Sequence, residues 1–95
     1  MPYSNYSDAA RKIANLRPFR GGSWHGQDGP SNDTGRLPRE WVEQFRQDQN
    51  KIIYAVYSYA TPIAWVTEDG TATIPDVSYS RTTTRQQNAA RVALN

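Results

Sequence analysis

The chain has 95 residues, a formal net charge of +2, 37% hydrophobic and 12% aromatic residues, and no cysteine. That length supports one small domain with a thin core, and the lack of thiols excludes disulfides and thiolate metal sites. Six Tyr and three Trp are too many for a disordered tail, and a single histidine, His25, argues against zinc.

The mean hydropathy of −0.82 is low, so the aromatic residues must carry much of the burial. The opening MPYSNYSDAA lacks a basic–apolar leader pattern, and no apolar run approaches membrane-spanning length. These features lead to the expectation of a cytoplasmic protein with no membrane partner and no cofactor. Charge is unevenly spread. Residues 9–27 hold Arg11, Lys12, Arg17 and Arg20 without an acid, and residues 77–95 hold Arg81, Arg85 and Arg91 without one. The acids Asp28, Asp33, Glu40, Glu43, Glu68 and Asp69 lie between, so basic ends that met in space would make one anion-facing patch.

In chain order, SDAARKIANLRPF reads as a short helix. Ser7 suits its N-cap, Asp8 its positive end, and Ala9, Ile13 and Leu16 share a face until Pro18 intervenes. The stretch 21–35, GGSWHGQDGPSNDTG, reads as a loop with flexible character, as do residues 1–5. Within it Trp24 folds onto the core or faces a partner. His25 with Asp28 suggests a catalytic pair, but no nucleophile stands beside them.

LPREWVEQFRQDQN is the clearest helix, expected over 38–49, with Pro38 in its first turn and Leu37, Trp41 and Phe45 at four-residue spacing. KIIYAVYSY follows as a central strand covered on both faces. Alternation sets Ile53, Ala55, Tyr57 and Tyr59 against Ile52, Tyr54 and Val56. PIAWVT is the next strand, with Ile63 and Trp65 on one face and Ala64 and Val66 on the other. Asp69–Gly70 marks a tight hairpin. TATIPDVSYS reads as a third strand, placed at an edge or interrupted because Pro75 has no amide donor.

The chain ends in YSRTTTRQQNAARVALN. One of Thr82, Thr83 or Thr84 is expected to cap a last helix, with Ala89, Val92 and Ala93 as its apolar face. Arg85 falls in the first turn, where a cation opposes the helix dipole unless an anion sits beside it. The whole reads as one α+β domain over 1–95: helix, long loop, helix, three-stranded antiparallel meander, closing helix.

Residues 51–87 resemble a family of small uncharacterised proteins of actinobacteriophages and their hosts. The family signature reads Tyr-Ser-Tyr with Thr-Pro-Ile-Ala, then Tyr-Ser-x-Thr-Thr-Ser-Arg-His-Gln. Matching positions here are Tyr57, Ser58, Tyr59, Thr61, Pro62, Ile63, Ala64, Tyr79, Ser80, Thr82, Thr83, Arg85 and Gln87. Thr84 replaces the usual Ser and Gln86 the usual His, which removes the one base of that segment. The resemblance implies a phage or prophage setting in a bacterial cytoplasm rather than a reaction.

With no paired carboxylates, phosphate loop or metal-ligand spacing, catalysis is not expected, and no catalytic or metal-binding residue is assigned. The leading expectation is a protein-interaction module acting on a host or phage protein. The alternative is nucleic-acid binding through the basic start of the last helix. Either reading makes Arg81, Thr82, Thr83, Arg85, Gln86, Gln87, Arg91 and Trp24 the candidate partner- or anion-binding residues. Self-association would supplement the thin core.

Overall fold

A computed structural model describes residues 6–94. The expected looseness of residues 1–5 lies outside the described residues. Five strands form one antiparallel sheet in the order β1-β2-β3-β4-β5: Phe19–Arg20, Trp24–Asp28, Ile52–Ser58, Thr61–Thr67 and Ala72–Thr73. Helices α1 (Tyr6–Ala14) and α3 (Arg81–Leu94) cover one face, and α2 (Arg39–Asp48) covers the other. The α+β class is as expected, but the sheet has five strands rather than three.

Of the two extra strands, β1 lies just before the stretch read as a loop and β2 lies within it. WHGQD is poor in β-formers, yet Trp24–Asp28 pairs along β3 from Trp24↔Ser58 to Asp28↔Tyr54. Context outweighs propensity here because β3 is central and needs a partner on each edge. Gly26 is required by packing: a Cβ there would collide with the Tyr54 hydroxyl and the Phe19 ring. At the other edge β5 is only Ala72–Thr73, and the residues through Ser80 run on without a ladder. Pro75 lies just beyond β5, as its missing donor requires.

α1 begins at Tyr6, so Ser7 stands inside the first turn and not at the cap. The helix ends in a Schellman arrangement: the Arg17 amide donates to Lys12 O at 2.7 Å and the Leu16 amide to Ile13 O at 3.0 Å. Leu16 takes the left-handed position, φ 54°. α2 starts one residue later than expected, with Pro38 as the extended residue before it, and runs into a 3-10 turn at Gln49–Lys51.

Two bulges rearrange the expected faces of β3 and β4. Between the pairs Ile52↔Thr67 and Tyr54↔Val66, β3 holds one extra residue, Ile53; between Val56↔Ala64 and Tyr57↔Pro62, β4 holds Ile63. Ile52 therefore joins Ala55, Tyr57 and Trp65 under α2, beside Leu37 and Phe45, while Ile53 is pushed outward to 43% exposure. Ile63 joins Ala64 and Val66 on the α1/α3 face, away from Trp65. A bulge inserts one residue and breaks the period of two, which strict alternation cannot anticipate. Phe45 meets the fully buried Trp65 edge-on at 5.2 Å, and Trp65 Nε1 donates to Asp48 Oδ2 at 2.9 Å.

In α3 the cap is Ser80, not a threonine. Its Oγ accepts from the Thr83 amide at 3.2 Å, and its carbonyl from the Thr84 amide at 2.9 Å. The buried stripe is Thr83, Gln86, Gln87 and Ala90, and the expected apolar residue Val92 is 78% exposed. Three of those four buried residues are polar, so hydropathy did not mark the inward face.

Candidate functional site

The β3–β4 hairpin turns through Tyr59 and Ala60. Ser58 pairs with Thr61, so Tyr59 is the first of two turn residues, and it takes φ 55°. That region favours glycine, and a bulky side chain held there is strained. The Tyr59 amide donates to Ser23 O at 2.8 Å, which fixes the turn against the β1–β2 connection. The ring itself projects from the surface at 70% exposure.

Beneath Tyr59 lies a cleft of about 460 Å³. Three segments build it: the β3–β4 turn, Gly35–Arg36 ahead of α2, and Tyr79, Ser80 and Thr83 at the start of α3. Gly35 allows the close approach. It has φ 50°, and a Cβ would strike the Thr61 hydroxyl and the Ala60 carbonyl. The loop is thereby held so that the Arg36 amide donates to Thr61 Oγ1 at 2.9 Å. The lining carries one cation, Arg36, and neither a carboxylate nor a histidine. On the far side of Tyr59 a shallower depression of about 180 Å³ is lined by Arg20, the Gly21–Gly22–Ser23 turn, Trp24 and His25.

Three cleft hydroxyls are joined in a row. Ser80 Oγ donates to Thr83 Oγ1 at 3.2 Å, and Thr83 Oγ1 lies 3.1 Å from Ser58 Oγ. Tyr79 also lines the cleft, and its hydroxyl is buried with no hydrogen-bond partner among the described residues. Burial pushes that phenol's pKa up, so it remains a protonated donor.

Residues 33–91 match a family of unknown function (DUF8033). The chain belongs to that family. The whole cleft lining, from Gly35 to Thr83, falls inside the DUF8033 span, whereas the shallower depression shares only Tyr59 with it, its other lining residues lying before residue 33. No curated protein and no solved structure matches the chain.

The candidate residues divide by position. Arg81, Thr82 and Arg85 are exposed on the first turns of α3. Thr83, Gln86 and Gln87 are buried. Gln86 Nε2 donates to Ser23 Oγ at 2.7 Å, leaving its buried Oε1 unpartnered, and Gln87 Nε2 donates to Pro75 O and Val77 O at 3.3 and 3.0 Å. Arg91 bonds Asn88 Oδ1 at 3.0 Å. Trp24 is 5% exposed and packs edge-on against Phe19 at 5.0 Å. His25 stacks on Tyr57 at 5.3 Å and bonds Gln27 at 3.1 Å. Of the candidates only Thr83 lines the DUF8033 cleft. Sequence reasoning missed Tyr59, Tyr79, Ser80 and Arg36 as site residues. The first three stood in the family signature, but Arg36 carried no signal because only the tertiary fold brings its loop to the turn.

Among the described residues no helix is long and apolar enough to cross a membrane, and no three His, Asp or Glu cluster in a way that could hold a metal.

Proposed function

We propose that the chain is a small, non-catalytic binding module that receives a segment of a partner protein at the cleft beneath Tyr59. The observation that carries this reading is Tyr59 itself, a large aromatic side chain 70% exposed and held at a strained backbone angle over a cleft. Strain of this kind persists where function requires a particular side chain, and rigid aromatic residues anchor interfaces at low entropic cost. Among the described residues both faces of the sheet are covered, by α1 and α3 on one side and by α2 on the other. That the partner is a host or phage protein, met in a bacterial cytoplasm, rests on the resemblance to actinobacteriophage proteins.

Nucleic acid is the competing partner, favoured by exposed Arg81 and Arg85 on an α3 with no acid in its first turn. A photo-crosslinking amino acid in place of Tyr59, in the native cells, separates the two. The expected result is a discrete adduct removed by protease and resistant to nuclease, and absent when the crosslinker replaces the exposed Val92. A nuclease-sensitive adduct, or none above the position-92 control, overturns the reading.

A further inference from the structure

We infer that the cleft beneath Tyr59 is a carboxylate-binding site, taking an acidic side chain of the partner segment; this rests on the binding-module reading above. The Arg36 guanidinium is exposed and makes no hydrogen bond or ion pair with any described residue. Ser58, Ser80 and Thr83 hold three hydroxyl protons among them, and their two mutual bonds consume two. One proton of that row is left over, whichever way the Ser58–Thr83 bond runs. The Tyr79 side chain lines the same cavity, and its buried hydroxyl has no partner among the described residues.

Arg36, the hydroxyl row and the Tyr79 side chain thus line one cavity, and that lining has no anionic side chain. A buried donor left unmade is costly, so a ligand that offers acceptor oxygens recovers what the free protein forgoes. A guanidinium beside neutral hydroxyl donors fits the two oxygens of a carboxylate, with charge assistance at the Arg36 end. The Tyr59 ring then covers the aliphatic stem of a Glu or Asp. A neutral amide fits worse because it forgoes the charge assistance that the Arg36 guanidinium gives a carboxylate.

The test is a titration of isotope-labelled protein followed by amide NMR shifts, with N-acetylglutamate amide, N-acetylglutamine amide and inorganic phosphate as probes. The glutamate compound is expected to give saturable shifts at Arg36, Thr61, Ser80 and Thr83. The glutamine compound should bind about tenfold more weakly or worse. Arg36→Gln, at an exposed position, should lose about tenfold, and Tyr79→Phe several-fold, with the remaining spectrum unchanged. No saturable response to the glutamate compound, or equal affinity for the glutamine compound, overturns the inference. So does tighter binding of phosphate, which assigns the cleft to phosphoryl groups instead. A protein adduct at position 59 with no carboxylate response would leave the module reading standing and remove this one alone.

Discussion

The Ser58 and Thr83 hydroxyls lie 3.1 Å apart, joining the last residue of β3 to the first turn of α3 across 25 positions. Both residues are buried, so the contact is a structural tie as well as a wall of the cleft. Thr83→Val keeps the shape but strips a partner from both Ser58 and Ser80. It is expected to lower stability by about 1–3 kcal/mol, read from the urea midpoint.

Ser80 separates capping from binding. Ser80→Ala removes the cap bond to the Thr83 amide and should cost about 1 kcal/mol. Ser80→Asp restores a cap at the positive end of α3 and should keep the wild-type midpoint. It also introduces a carboxylate beside the cleft, so its response to N-acetylglutamate amide should fall sharply. Chemical denaturation and the NMR titration, run on the same two variants, check both halves.

Tyr59 is expected to be dispensable for folding. Glycine takes a positive φ without steric cost, and the ring buries little, so Tyr59→Gly should leave stability unchanged or raise it by up to about 1 kcal/mol. Tyr59→Val, β-branched at the same φ, should be destabilising by about 1 kcal/mol or more. A thermal melt of the pair decides it, and a large loss for the glycine variant would mean that the ring is structural.

Gly35 sets the position of Arg36. Gly35→Ala adds a Cβ against Thr61 and Ala60 at a left-handed φ, and should cost about 1–3 kcal/mol. The loop must retreat, so the Arg36 amide loses Thr61 Oγ1. Disappearance of protection at that amide in hydrogen exchange is the specific readout.

The hairpin after β4 gives a pH dependence. The Asp69 carboxylate accepts from the Thr67 hydroxyl at 2.6 Å and the Thr71 amide at 3.0 Å. These bonds, that from Thr67 foremost, lower its pKa from 3.8 to about 2. The folded value is the lower one, so the contribution is complete above the unfolded pKa and is lost as pH falls through the folded one. Asp69→Asn should flatten the acid limb of stability between pH 3.8 and about 2, measured by melts across that range.

The helices over 7–14 and 39–48, the central strand and the Asp69–Gly70 turn were legible because each rests on a local period or a turn residue. Four-residue spacing of Leu37, Trp41 and Phe45 suffices to mark a helix face, and β-branched and aromatic residues suffice to mark β3. The signature around Tyr57–Ala64 and Tyr79–Gln87 also pointed to the two segments that later meet at the cleft. What each segment does there was not legible. The Ser80 cap competed with three threonines, which also cap helices, and the buried face of α3 is mostly polar.

The amino-acid sequence by itself determined the class, the buried faces of α1 and α2 and the absence of thiol chemistry, since these depend on composition and on neighbours a few positions away. Only the tertiary structure decided the rest. Long-range pairing turned Trp24–Asp28 into a strand and buried Trp24, and single-residue bulges exchanged the faces of Ile52 and Ile63. Chain closure brought Arg36, Tyr59 and Tyr79 around one cavity, though 43 positions separate the first from the last. A site made of such distant residues has no period or spacing to read, because its geometry is set by packing of the whole sheet against three helices.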